Sequence, residues 1–257
     1  MNDKNLTAMK WWHGQTCLSV HKKVGHFYGV GLGPGDPELL TLKAARIIKD
    51  ADCIFVPKAG SKEESMALEI VKDMTKGKRI IENVFPMTKE SSLLKEAWSK
   101  VTEEIKKELE QGNDVAFLTI GDPLTYSTYV YLLKYIKDVL PDDRIHTVPG
   151  ITSYNAAASM ANLPLLESDK KLAVVPVSDD IESLRPILES FDTVVLMKVA
   201  KKLDMVIEML EEMGLANTSL FASDIGWHNA IITKDITSLK GSGKGYMSVI
   251  IVKKPPC

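Results

Sequence analysis

Three short turns hold the residue patterns of this chain that are suited to binding or reaction. The first is Gly29-Val30-Gly31-Leu32-Gly33-Pro34-Gly35-Asp36-Pro37. Four glycines and two prolines in nine residues exceed what a simple connection needs, and glycine lets backbone come close to a ligand. The spacing fails the dinucleotide fingerprint G-x-G-x-x-G, whose last position falls on Pro34 or Asp36, and no Lys-Ser/Thr pair follows to make a phosphate loop. The second turn is Ile120-Gly121-Asp122-Pro123-Leu124-Thr125-Tyr126-Ser127-Thr128. Asp122 is suited either to receive the ammonium of an amino-acid-like ligand or to cap the helix that follows. The third is Val148-Pro149-Gly150-Ile151-Thr152-Ser153-Tyr154, which reads best as a capped helix start running into Asn155-Ala156-Ala157-Ala158.

Other reactive types are scattered. His13, Cys17 and His21 would share a face if helical, but a fourth ligand is missing and the segment lacks a helical pattern, so no protein-bound metal is expected. Trp227 suits a flat ring or ordinary packing equally, and the neighbouring His228 reads as a loop histidine.

The elements that must position these turns are legible from hydrophobic periodicity. In the first half, strands are expected over Phe27–Val30, Asp52–Val56 (stopped by Pro57), Lys78–Glu82, Asp114–Ile120 and Arg144–Val148. Helices are expected over Glu38–Lys49, after a Ser61/Glu64 capping box, over Ser92–Gln111 and over Tyr129–Leu140. Strands alternating with helices imply right-handed crossovers and a mainly parallel sheet. Each of the three turns follows such a strand, so they should converge where open α/β sheets bind ligands. In the second half, strands at Leu172–Val177 and Thr193–Lys198 precede a helix from Leu203 to Met213 that Gly214 ends. Ser219–Ala222, Ala230–Thr233 and Tyr246–Val252 then follow closely, which suggests a mixed sheet. The reading is two α/β domains, 25–140 and 141–257, with the junction between 140 and 164, behind a loosely ordered extension of residues 1–24.

Composition narrows the partners. Across 257 residues, 32 Lys and Arg face 34 Asp and Glu, so no cationic surplus exists to neutralise a nucleic acid. Three scattered cysteines do not form a disulfide framework, which points to the cytoplasm. No apolar run approaches the ~18 residues that a membrane span needs.

Taken together, Gly31-x-Gly33-Pro34-Gly35-Asp36 with Leu39-Leu40-Thr41-Leu42, then Gly121-Asp122-Pro123-x-x-Tyr126-Ser127, then Pro149-Gly150-Ile151-Thr152-Ser153, resemble the tetrapyrrole methylase family, the class III S-adenosylmethionine-dependent methyltransferases. The resemblance spans roughly Phe27 to Val252. Within the family the second turn, with Pro57-Lys58 and Ser65-x-Ala67, looks most like the enzymes that methylate C20 of the ring in cobalt-factor II or precorrin-2. It implies a homodimer of two α/β domains, with S-adenosylmethionine in the cleft between them. Carried over by motif, Pro34 borders that cofactor. Gly121, Asp122 and Thr125 hold its methionine part, Thr152 and Ser153 lie beside it, and Met197 and Ala222 line the adenosine pocket. Any cobalt would arrive inside the substrate.

Methyl transfer to a ring carbon is a displacement, for which proximity and alignment can supply ~7–11 kcal/mol. A proton must also leave C20, and Tyr126, Tyr129 and His228 are the candidate acceptors. The competing readings are methylation of another tetrapyrrole carbon or of the modified histidine handled by diphthine synthases, a nicotinamide-dependent oxidoreductase, and a non-catalytic corrinoid-binding protein.

Overall fold

The computed structural model describes residues 24–58, 65–85, 90–243 and 247–255. The expectations for residues 1–23 and for the Ser61/Glu64 capping box lie outside the described residues.

Five parallel strands form the first sheet: β1 (Phe27–Gly31), β2 (Cys53–Lys58), β3 (Arg79–Val84), β4 (Val115–Thr119) and β5 (Ile145–Val148), in the order β3-β2-β4-β1-β5. Registers such as Phe27 opposite both Val115 and Ile145 place the ends of β4, β1 and β5 side by side. Strand residues alternate between two covered faces, as a parallel sheet requires. Phe27, Phe55 and Phe117 point toward helices α3 (Ser91–Glu110) and α4 (Tyr129–Val139). Val30, Ile54 and Leu118 point toward α1 (Leu42–Asp50) and α2 (Met66–Val71). On α3 the expected stripe is present, with Val101, Ile105 and Leu109 buried and Gly112 ending the run at φ +93°.

Most boundaries move by one or two residues from the sequence reading, and two of the differences have a clear physical cause. The helix expected from Glu38 begins at Leu42, because Asp36 caps a separate 3-10 turn (Pro37–Leu39) and Thr41 Oγ1 accepts from Ala44 N at 3.1 Å to start α1. Pro57 does not stop β2. The strand pairs with β4 only as far as Phe55, so beyond it one side needs no amide donor and proline is tolerated.

The second sheet is mixed, as expected. It comprises β6 (Leu172–Pro176), β7 (Thr193–Met197), β8 (Ser219–Ser223), β9 (Ile231–Thr233) and β10 (Ser248–Lys253), ordered β6-β7-β10-β8-β9. Only β6 and β7 pair in parallel, across the crossover helix α6 (Arg185–Ser190). One face packs on α6 and α7 (Leu203–Glu212), and the other on α5 (Ser153–Met160).

At the end of the first sheet away from the glycine turns, two histidines touch. His26 Nδ1 lies 2.9 Å from His146 Nε2, and Arg144 Nη1 lies 3.2 Å from His26 Nε2. Guanidinium only donates, so His26 Nε2 accepts and its Nδ1–H donates to a neutral His146. Burial first, then the charge that His26 carries once protonated and that of Lys43, hold the His146 pKa below its usual 6.5, against Asp114 and Asp143, which raise it. The unfolded chain therefore binds the proton more readily, so this stability is complete above pH 6.5 and is lost as pH falls below it. Thermal melts should drop more between pH 7 and 5 for the parent than for His146→Gln. Equal drops would show that the pair does not titrate this way.

Candidate functional site

The three turns do converge, and they do so through backbone. Leaving β1, Leu32 N donates to Thr119 O at 2.9 Å, and Gly33 and Gly121 exchange both hydrogen bonds, with Gly121 N donating to Gly33 O at 2.7 Å. A Cβ on Gly31 would sit 2.6 Å from Gly150 N and 2.7 Å from Gly121 O; one on Gly150 would sit 2.1 Å from Gly121 O. The contact exists only because Gly31 and Gly150 have no side chain. Gly121 differs from the other two. At φ +73° its Cβ position meets nothing within 4 Å, so its backbone borders open space. Pro34 is buried one residue beyond the Gly33–Gly121 bridge.

Asp122 ties this junction together. Its Oδ1 accepts from Leu124 N at 3.0 Å and Thr125 Oγ1 at 3.2 Å, and its Oδ2 accepts from Gly150 N at 3.2 Å. The helix-capping alternative does not hold, since α4 starts seven residues later at Tyr129, whose N–H is met by Ser127 Oγ at 3.0 Å. Three donors leave room for one more on a carboxylate that can accept about four. Thr152 is the N-cap of α5, as the third motif predicts, with its Oγ1 accepting from Asn155 N at 3.4 Å, and Ser153 opens the helix half-buried. Alanines 156 to 158 bring α5 onto the second sheet. There Met197 and Ala222 both stand opposite Val249 and share its face. Met197 is half-buried at the edge, whereas Ala222 is fully covered.

The two sheets are joined at this same place. Leu39 of the first loop packs into the cluster beneath α5, and Trp227, after β8, packs into the first-sheet cluster around Val30 and Leu32. Trp227 is thus a packing residue. Its Nε1 is buried with no partner, directly against Gly35. Tyr126 OH donates to Val174 O of β6 at 3.1 Å.

Beside Thr125 opens a cavity of about 630 Å3 whose walls include Tyr126, Tyr131, Tyr154, Lys134 and Lys198. Neither lysine was singled out in the sequence, although Lys198 directly follows Met197. Tyr126 (φ +52°) and Lys198 (φ +60°) both hold the left-handed backbone that side chains disfavour, and Lys198 Nζ lies 5.6 Å from the centre of the Tyr126 ring. Of the proton acceptors considered, Tyr126 lines this cavity. Tyr129 does not: its ring is fully buried in the core against Gly29, its OH meets Thr147 Oγ1 at 2.7 Å, and burial pushes its pKa up. His228 is exposed after β8 and is not among the cavity's lining residues. Among the described residues no group of three His, Cys, Asp or Glu could hold a metal, and no helix is long and apolar enough to cross a membrane.

Against known proteins, the family model described as Tetrapyrrole (Corrin/Porphyrin) Methylases matches residues 26–239. A "Probable cobalt-precorrin-2 C(20)-methyltransferase" of Methanocaldococcus jannaschii is 42% identical over 179 residues, 70% of this chain and 74% of that protein. A "Cobalt-precorrin-2 C(20)-methyltransferase" of Salmonella typhimurium is 31% identical over 201 residues, 78% of this chain and 84% of that one. The solved uroporphyrin-III C-methyl transferase of Thermus thermophilus, complexed with S-adenosyl homocysteine, shares the fold with a TM-score of 0.64 at 20% identity, covering 90% of this chain and 98% of its own.

The glycine junction predicts an order of damage. Gly150→Ala drives a Cβ into Gly121 O and should cost about 3 kcal/mol. Gly121→Ala meets no atom and pays only left-handed strain, about 1–2 kcal/mol. Urea midpoints measure both, and a larger loss for Gly121→Ala would contradict the packing described.

Proposed function

The chain belongs to the tetrapyrrole (corrin/porphyrin) methylases, and we propose that it moves a methyl group from S-adenosylmethionine to C20 of cobalt-factor II (cobalt-precorrin-2) in the anaerobic route to cobalamin. The observation that carries the substrate is the agreement of two relatives named for this step, at 42% and 31% identity over most of the chain. Membership of a methylase family sets aside the nicotinamide oxidoreductase and the passive corrinoid carrier.

S-adenosylmethionine supplies an electrophilic methyl on a sulfonium. The residues suit such a ligand: Gly121 leaves backbone open to approach, and Asp122 keeps one accepting position for an ammonium. In this reading Pro34, Thr125, Thr152 and Ser153 border the same ligand. Met197 faces the adenosine at the sheet edge, and Ala222 shapes the layer beneath. A division into two domains, with the junction in the 140–164 span and after β5, puts the ligand where they meet. A homodimer in the cytoplasm completes the proposal.

What the chain must do is hold donor and ring carbon in line and exclude water, since alignment can supply about 7–11 kcal/mol of the barrier. Tyr126 is the acceptor candidate that lines the cavity, and it would take the proton as the phenolate, after its own O–H proton has left the hydrogen bond to Val174 O.

The test is an anaerobic incubation with S-adenosylmethionine and either cobalt-factor II or metal-free precorrin-2, read by mass spectrometry. One added methyl on the cobalt form, placed at C20 by NMR, is expected. Transfer to the metal-free form alone moves the enzyme to the aerobic route, and transfer to neither ends the C20 reading. By calorimetry, Asp122→Ala should weaken S-adenosylhomocysteine binding about tenfold or more, the loss of one hydrogen bond to a charged group. Unchanged affinity would remove Asp122 from the cofactor site.

A further inference from the structure

The cavity beside Thr125 carries an electrostatic signature of its own. Its lining includes two lysines, Lys134 on α4 and Lys198 after β7, and no acidic residue. Neither ammonium has a carboxylate partner among the described residues, although the chain as a whole carries 34 acidic side chains, and other lysines, such as Lys58 and Lys240, are paired. Lys134 comes from α4, which packs on the first sheet, and Lys198 directly follows β7 of the second sheet.

Three tyrosines, Tyr126, Tyr131 and Tyr154, stand with them, so the walls offer flat apolar faces with cations at the rim. Lys198 is also held in place at a cost. Its left-handed backbone is a strained conformation, the kind that persists where the surroundings over-determine a residue. Its ammonium rests over Tyr126, which is itself left-handed and pinned by its OH to Val174 O. A freely solvated lysine would need none of this.

We propose that Lys134 and Lys198, brought to one cavity from the two halves of the chain, recognise the peripheral carboxylates of the tetrapyrrole, while the tyrosines meet the ring. This rests on the methyltransferase reading above and adds the residues that select the substrate. A tetrapyrrole of this type presents acetate and propionate groups around a flat macrocycle, which matches cations around aromatic walls. The two lysines do not hold the cofactor, whose amino-acid end lies at Asp122.

The experiment measures binding directly. Cobalt-factor II is titrated by absorbance into the full chain saturated with S-adenosylhomocysteine, at low and high salt, and S-adenosylhomocysteine affinity is measured separately by calorimetry. Lys134→Gln and Lys198→Gln should each raise the tetrapyrrole Kd about tenfold and the double variant about a hundredfold. The dependence on salt should shrink with each, and S-adenosylhomocysteine affinity should stay at the parent value. Lys198→Arg should recover most of the loss. Lys134 is exposed on a helix surface, so its variant tests the idea even if changes at the strained Lys198 disturb folding. An unchanged Kd in the double variant overturns the proposal. So does a parallel fall in S-adenosylhomocysteine affinity, which would give the lysines to the cofactor. If the parent binds cobalt-factor II without methylating it, the C20 reading fails while the Kd comparison still decides the role of the lysines. If the parent fails to bind it, uroporphyrin III is the second probe, and failure to bind that polycarboxylate as well also overturns the proposal.

Discussion

The arrangement of the site depends on one contact: the ends of β1, β4 and the turn after β5 touch backbone to backbone at Gly31, Gly121 and Gly150. Side chains on Gly31 or Gly150 would hold these strand ends apart. Without them, Gly33 and Gly121 exchange hydrogen bonds as an isolated bridge, and the sheet ends in a closed floor instead of three separate loops. Asp122 then reaches across that floor to Gly150 N and back to Thr125. The carboxylate takes three of its hydrogen bonds from the protein, which fixes its direction and holds the second and third turns in register. Preorganisation of this kind is worth more than an extra ligand contact, because nothing must be ordered when a ligand arrives.

The same floor is where the two sheets meet. Leu39 leaves the first turn and enters the cluster under α5, while Trp227 leaves the second sheet and enters the cluster of Val30 and Leu32. Each half contributes a hydrophobic side chain to the other's core. The exchange fixes the second sheet against the glycine floor, and the approach is close enough that Gly35 and Gly226 also sit where a Cβ would strike backbone or indole. Tyr126 adds a polar tie at the cleft's open side through Val174 O. The cleft is therefore clamped at its apolar base and lightly tied at its rim, a pattern that allows adjustment at the rim without disturbing the floor.

The sequence made the floor legible and the rim largely opaque. Apolar runs followed by glycine turns announced the strands and their shared end, and Thr152 announced the start of α5 because a cap needs only local chemistry. Gly112 and Gly214 likewise marked the ends of α3 and α7. Pro57 misled because its tolerance depends on whether a neighbouring strand still runs beside it, which is a tertiary fact. Asp122 was readable as a cap or a ligand, whereas its actual work spans 28 residues to Gly150, beyond any local pattern. Tyr129 looked as available as Tyr126, and only the ring-sized gap above Gly29 explains why it is core. Lys198 and Lys134 are unremarkable letters in the sequence. Their meaning comes from facing one cavity and from a left-handed backbone at Lys198 that no propensity predicts.

These differences follow from what a displacement at carbon requires. Acid and base groups matter less to it than the line joining donor, methyl and acceptor, and that line is set by where two large ligands rest. Residues that set such a line need not be ionisable or reactive; they need to be immovable. Glycines locked by mutual contact and a carboxylate with three protein donors would meet that need on the proposed donor side. On the acceptor side the substrate is broad and charged at its edge, so the matching surface must be wide, aromatic and cationic, and a single rigid loop cannot provide it. A cleft drawn from two sheets can, because α4 and the end of β7 approach it from different directions. In this account the mixed second sheet is more than a cover for the first. Both halves line the cavity, with Tyr126, Tyr131 and Lys134 coming from the first and Tyr154, Val174 and Lys198 from the second.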